Sequence, residues 1–227
     1  MAGSVQGWVD EIGYTRQLGL HLFTMQHMSK VIILNGCSSS GKSTLAAAIQ
    51  QLSAEPFQYI SLDQFRDGLP MAMRGLNAPA DSPGAQGLNV VPQMTADGPR
   101  TLIQFGAHGD QVLLAMRHSV AACADLGLNV VVDDLFFKRD YVEHYQQLLD
   151  PASAWLVGVH CDSDELAQRE QQRLGRFPGT AVAHLEQVHA HGFQYDVEVD
   201  TTQTPALDNA RKILERLATA PVALTSR

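Results

Sequence analysis

A chain of 227 residues with 45% hydrophobic content is long enough to bury the core of one enzyme-sized domain. A formal charge of −8 argues against a broad basic face that tracks nucleic acid, because a net-acidic surface repels a polyanion. Cys37, Cys123 and Cys161 stand far apart with no C-x-x-C, so neither a disulfide framework nor a zinc site is predicted, and a reducing cytoplasm is the expected setting.

No apolar run approaches the roughly 20 residues that span a bilayer, and the N-terminus lacks the basic-then-apolar plan of a secretory signal. No membrane partner is expected. Residues 1–28 carry Trp8, Tyr14 and Phe23 without periodicity, and Met25 and Met28 precede the first apolar run. They read as an extension or an upstream start, with a short amphipathic helix as the alternative. The domain proper is expected over 29–220, followed by a tail at 221–227.

The run K-V-I-I-L-N at 30–35 predicts a parallel strand covered on both faces. Residues 43–52, with Leu45, Ala46, Ala47, Ala48, Ile49 and Leu52, predict a helix with an apolar stripe. A second strand is expected at 57–62, leading into Asp63 and a helix over 64–69. Residues 75–99 are rich in Gly, Pro, Asn and Asp and read as a long loop on the substrate side. A helix is predicted over 101–126 and a buried strand over N-V-V-V-D-D at 129–134. Then come a helix over 139–149, a strand over 154–160, a helix over 163–174, a short strand at 197–199 and a closing helix over 205–217 with Pro205 at its start. This alternation predicts an α/β fold, a parallel sheet flanked by helices on both faces, whose ligands sit beyond the carboxyl ends of the strands.

The chemistry gathers at those ends. Gly36-Cys37-Ser38-Ser39-Ser40-Gly41-Lys42-Ser43 matches G-x-x-x-x-G-K-[ST] between a strand and a helix. In such a loop, glycines let successive N–H groups wrap a phosphate at a helix N-terminus. With Thr44 these residues are the candidate nucleotide site. Lys42 would reach the β- and γ-phosphates of ATP, and Ser43 would ligate Mg²⁺ together with Asp133 or Asp134 from a distant strand end. Asp63 is the candidate general base for an acceptor hydroxyl, or alternatively a helix cap. Arg169, Arg173 and Arg176 recur at spacings of four and three, which puts them on one side of a helix in a lid region over 163–192; the alternative is a solvated face paired with Glu165 and Glu170. His184, His189 and His191 match no familiar metal spacing and read as surface or substrate-side groups. Cys37, inside the loop near a helix N-terminus that could lower its pKa, is a candidate reactive thiol, with a small loop filler as the alternative.

Together these residues resemble the chloramphenicol phosphotransferase family of P-loop kinases from about Val31 to Leu217. The similarity rests on I-I-L-N-G-x-S-S-x-G-K-S at Ile32 to Ser43, on the Asp63 segment ending Leu69-Pro70-Met71, and on V-D-D at Val132 to Asp134. It continues in V-G-V-x-C-D at Val157 to Asp162, R-E-x-x-R at Arg169 to Arg173, and Y-D-V-E-V-D-T-T at Tyr195 to Thr202. The resemblance implies a P-loop kinase sheet with a helical lid, ATP as donor, Mg²⁺, an aspartate base at Asp63, and lid arginines at Arg169, Arg173 and Arg176. Leu174-Gly175-Arg176 departs from the family's lid pattern, and residues 75–99 are distinctive; both differences touch the substrate side.

The expected function is therefore transfer of the γ-phosphate of ATP to a hydroxyl of a small molecule, with chloramphenicol or a related antibiotic as the leading candidate. Two alternatives stay open: a nucleoside, nucleotide or other metabolite kinase, and an ATP-binding switch protein. The oligomeric state is open too.

Overall fold

The computed structural model describes residues 28–173, 175 and 177–225. The predicted N-terminal extension falls outside these residues except for Met28, as do Leu174, Arg176 and the last two residues of the tail. In chain order the elements are β1 (Val31–Gly36), α1 (Lys42–Leu52), β2 (Phe57–Ser61), α2 (Leu62–Asp67), β3 (Arg74–Leu76), α3 (Pro83–Gln86), β4 (Leu88–Thr95) and β5 (Gly98–Phe105). Then follow α4 (Ala107–Asp125), β6 (Asn129–Asp134), α5 (Arg139–Leu148), β7 (Ala154–His160), α6 (Ser163–Gln171), α7 (Thr180–Val188), β8 (Val197–Asp200) and α8 (Ala206–Arg216).

The main sheet runs in the order β2-β6-β1-β7-β8, with every pair parallel. Side chains alternate across a strand, so β1 feeds both faces. Val31 and Ile33 enter a core with Leu113, Met116 and Val120 of α4 and Tyr141, Val142 and Tyr145 of α5. Ile32 and Leu34 enter the opposite one with Leu45 and Ile49 of α1 and Ala210 and Ile213 of α8. Helices cover both faces, which explains the unbroken apolar runs in the strands. Because all five strands run one way, their carboxyl ends share one edge of the sheet.

Residues 75–99, read as a loop from their composition, instead fold into most of a second sheet of order β3-β4-β5. β3 runs parallel to β4, and β4 and β5 form an antiparallel hairpin. The turn residues that suggested a loop sit between these strands, while Pro92 lies past the end of the β3 pairing, where β4 has one unpaired edge that tolerates a missing N–H. The helix expected over 101–126 is shorter for the same reason. Residues up to Phe105 are claimed by pairing with β4, and the helix begins at Ala107. Cross-strand register puts Leu88 opposite Phe105, Val90 opposite Ile103 and Leu76 beside Val90, so one face of this small sheet is apolar.

Between β6, α4 and α5 lies a fully buried ion pair, with Arg117 Nη2 3.0 Å from Asp134 Oδ2. The Tyr145 hydroxyl donates to the same oxygen at 2.9 Å, the Leu135 amide donates to Oδ1 at 2.7 Å, and the guanidinium lies 4.0 Å from the centre of the Tyr141 ring. A buried charge stripped of its partner keeps its desolvation cost and loses its compensation. Asp134→Ala is therefore expected to destabilise the fold by about 3–5 kcal/mol in urea unfolding, more than an exposed ion-pair deletion would.

Candidate active site

The loop from Gly36 to Ser43 leaves β1 and enters α1 through two left-handed residues, Ser39 at φ 64° and Gly41 at φ 86°. Gly41 caps α1 without a side chain, which leaves the first amides of the helix directed at the loop's hollow. Ser39 Oγ and Ser40 Oγ are buried without a hydrogen-bond partner among the described residues. Buried hydroxyls without partners at the start of a helix match a ligand rich in acceptor oxygens, so the loop fits a phosphate.

Lys42 is buried and folds back over the loop. Its Nζ donates to Gly36 O and Cys37 O, each at 2.9 Å, and sits 3.5 Å from Asp133 Oδ1. Asp133 also accepts from the Tyr59 hydroxyl at 3.2 Å. Burial raises its pKa and the Lys42 charge opposes that rise, while burial and the adjacent carboxylate push the Tyr59 phenol up to about 12. Asp134 is not available in the same way, since the Arg117 cluster occupies its carboxylate. Successive side chains on a strand face opposite ways, and this separates the two aspartates. Ser43 and Asp133 both line the cavity described below. This pair of hard oxygen donors suits Mg²⁺, which takes few protein ligands when phosphates complete its shell.

Asp63 lies in the first turn of α2. The cap is Ser61, which forms a reciprocal capping box with Gln64 and leaves the Asp63 carboxylate for other work. That carboxylate lines the cavity and pairs with Arg66 Nη1 at 2.6 Å. Arg169 donates to Glu165 at 2.8 Å, to Thr201 O at 2.6 Å and to Thr201 Oγ1 at 3.2 Å. Thr201 Oγ1 in turn contacts Ser40 O at 2.7 Å, so Arg169 is tied to the phosphate loop through one threonine. Arg173 lines the same cavity, and Arg176 lies outside the described residues.

These groups share a cavity of about 1140 Å³ that takes in Ser38, Lys42, Ser43 and Thr44, and also Leu76, Leu88, Val90, Ile103 and Phe105 from the small sheet. Phe137, Phe177 and His184 line it as well. Sequence reasoning missed Tyr59, Arg66, Thr201 and Arg74, the last of which also lines the cavity, and the whole apolar wall. Thr201 stood in a motif that carried no assigned role, and the wall's strands were hidden among turn residues.

The three histidines part company. His184 is buried, accepts from the Ser38 amide at 3.4 Å and packs edge-on to Phe137. Among the described residues no group of three metal-ligating side chains forms. His191 is buried rather than on the surface. Its Nδ1 accepts from the Phe193 amide at 3.1 Å, so Nε2 carries the proton to the Tyr195 hydroxyl at 2.8 Å. Asn35 Nδ2 donates to the same hydroxyl at 2.7 Å, leaving it to donate to His189 Nδ1 at 2.6 Å. Asn35 also donates to Val188 O at 2.7 Å, so this network ties the end of α7 to β1 just before the phosphate loop.

A family model for chloramphenicol phosphotransferase-like proteins matches residues 29–218. The chain belongs to the chloramphenicol phosphotransferase-like family. Two Mycobacterium tuberculosis proteins, each bearing the name "Putative O-phosphotransferase", are 33% identical to it over 219 residues, covering 91% of this chain and 91% of each relative. Among solved structures, a sugar kinase from Janibacter sp. HTCC2649 superposes with a TM-score of 0.56 at 17% identity, over 88% of this chain and 99% of that one. The APS kinase of Mycobacterium tuberculosis in complex with AMPPNP and APS gives 0.55 at 14% identity, over 85% and 99%. Family and fold agree on a phosphotransferase scaffold of the P-loop kinase type.

Burial, followed by the neighbouring His160 and His191, lowers the His189 pKa from 6.5 to about 4. Between those values the unfolded chain binds more protons than the folded one, so stability is full above pH 6.5 and declines as pH falls toward 4. His189→Gln, which keeps an acceptor for Tyr195, should flatten part of that decline in urea melts compared at pH 7 and pH 4.5.

Proposed function

We propose that the protein transfers the γ-phosphate of ATP to a hydroxyl of a small molecule with an apolar body, chloramphenicol or a related antibiotic being the leading acceptor. The observation that carries this reading is the shared cavity, in which a phosphate loop and the apolar face of a separate small sheet line one space with Asp63. A sheet face of Leu76, Leu88, Val90, Ile103 and Phe105 rewards apolar surface and offers no partner to a ring of hydroxyls. That favours an amphiphilic alcohol over a nucleoside or a polyol. Asp63 also argues against a pure switch protein, which needs no base for an acceptor. ATP as donor places the reaction in the cytoplasm.

In this reading the loop amides and Lys42 hold the β- and γ-phosphates. Ser43 and Asp133 would hold Mg²⁺, which would neutralise charge on the phosphate oxygens. Asp63 accepts the proton of the acceptor hydroxyl as its oxygen bonds to the γ-phosphorus, and the bond to the β–γ bridging oxygen breaks to release ADP. Arg169 and Arg173 stand where they can meet negative charge on the transferring group, with Arg176 assigned to the same role from the sequence. Positioning supplies most of the rate in such a transfer, and the base a smaller share.

Purified protein incubated with Mg·ATP and a panel of chloramphenicol, other hydroxylated antibiotics, nucleosides and sugars should yield a phosphorylated apolar alcohol by mass spectrometry. Phosphorylation of nucleosides or sugars alone would sink the acceptor assignment. Asp63→Asn is expected to lower kcat by about 10²-fold or more while ATP binding persists, and Lys42→Ala to abolish transfer. Val90→Asn should raise the acceptor KM by about 10-fold, the scale of a mismatched polar group in an apolar pocket.

A further inference from the structure

Glu170 stands between the arginines of the R-E-x-x-R run, and it is buried. A buried carboxylate needs partners, and both of its oxygens find them on the next helix. Oε2 accepts the Gly179 amide at 2.7 Å and Oε1 accepts the Ala181 amide at 2.8 Å. Helix α7 begins at Thr180 behind Gly179, a cap with no side chain. Glu170 therefore supplies, from α6, the anionic cap that the start of α7 lacks in its own sequence.

The other side of that turn is held by β5. The Thr101 amide donates to Gly179 O at 3.2 Å, and Thr101 Oγ1 donates to Pro178 O at 2.8 Å. Arg100 pairs with Glu186 farther along α7. The approach leaves no slack, because a Cβ on Gly179 would lie 2.0 Å from Pro99 O, and its φ of +78° is one that L side chains rarely adopt. Two residues past Thr101 on β5 stands Ile103, part of the apolar wall. One residue before Glu170 on α6 stands Arg169, tied through Thr201 to the phosphate loop.

We propose that Glu170 is a positioning residue that joins the arginine-bearing helix to the acceptor-side sheet, so that binding at the phosphate loop is felt at β5. The inference rests on the phosphotransferase reading for its purpose, since it makes the lid arginines and the acceptor wall one mechanical unit. Its contact route is Ser40, Thr201, Arg169, Glu170, Gly179, Thr101, with a hydrogen bond or a shared helix backbone at each step. Coupling through such a joint requires only that both ends move together when one is loaded.

The test needs no acceptor. Amide hydrogen exchange over residues 99–105 is compared with and without saturating Mg·AMPPNP in the wild type, in Glu170→Gln and in Thr101→Val. Nucleotide should slow exchange in this segment of the wild type several-fold. Glu170→Gln should lose that protection and Thr101→Val, which keeps its backbone bond to Gly179 O, should lose part of it, while AMPPNP affinity stays within about 3-fold of wild type, as expected when coupling rather than binding is cut. Unchanged exchange in the nucleotide-saturated wild type, or wild-type protection in the variants, overturns the proposal, as does a failure of the wild type to bind AMPPNP. Should Glu170→Gln not fold, Thr101→Val, which removes the Oγ1–Pro178 bond and keeps the amide bond to Gly179 O, must still weaken the protection, and full wild-type protection there overturns the proposal. With a phosphorylated acceptor in hand, Glu170→Gln should lower kcat about 10-fold with KM for ATP within about 3-fold. Lost coupling without any acceptor turnover upholds the joint and defeats the kinase reading.

Discussion

The ladder between β1 and β6 is the constraint on which the site depends. It sets Leu34 beside Asp133 and Asn35 beside Asp134, immediately before the phosphate loop. Because side chains alternate, this register sends Asp133 toward Lys42 and Asp134 into the Arg117 cluster. A slip of one residue would put Leu135 opposite Arg117 in one direction or Val132 beside Lys42 in the other, so that one of the two cations loses its carboxylate. The buried Arg117–Asp134 pair thus acts as a lock on register, and the geometry of the phosphate site depends on it.

From that ladder the rest of the site follows by adjacency. A parallel sheet brings all of its carboxyl ends to one edge, so the loop after β1, the aspartate on β6, Ser61 capping α2 ahead of Asp63, and Thr201 after β8 become neighbours although they are far apart in the chain. The small sheet then adds what the main sheet cannot, an apolar face opposite a site otherwise built from charges and amides. Low-dielectric walls beside a phosphate loop strengthen the electrostatic contacts that stabilise phosphoryl transfer.

Around this centre, two polar networks hold α7. One runs from Asn35 through Tyr195 to His189 and His191 and fixes the end of α7 against β1. The other runs through Glu170 and Gly179 and fixes the start of α7 against β5. Both ends of one helix are pinned by buried side chains from elsewhere, which explains why His184 and His191 are packed inside.

Much of this was legible in the sequence. The phosphate loop reads directly because its function depends on local backbone conformation, and local conformation is set by glycines at fixed spacing. The strands of the main sheet read as apolar runs because both of their faces are covered. The strand-end position of Asp133 also came from local pattern, whereas Asp63 falls in the first turn of α2, and α6 ends at Gln171, so Arg173 lies beyond the helix that was expected to carry it. What the sequence could not say was which of two adjacent aspartates faces the loop, that residues 74–105 build a sheet, or that Glu170 binds the following helix and not solvent. Those outcomes are set by partners distant in the chain. The register of β6 is set by its neighbours, the hairpin gains its worth by pairing with β3 and covering the cavity, and a carboxylate caps whichever helix the tertiary packing brings to it.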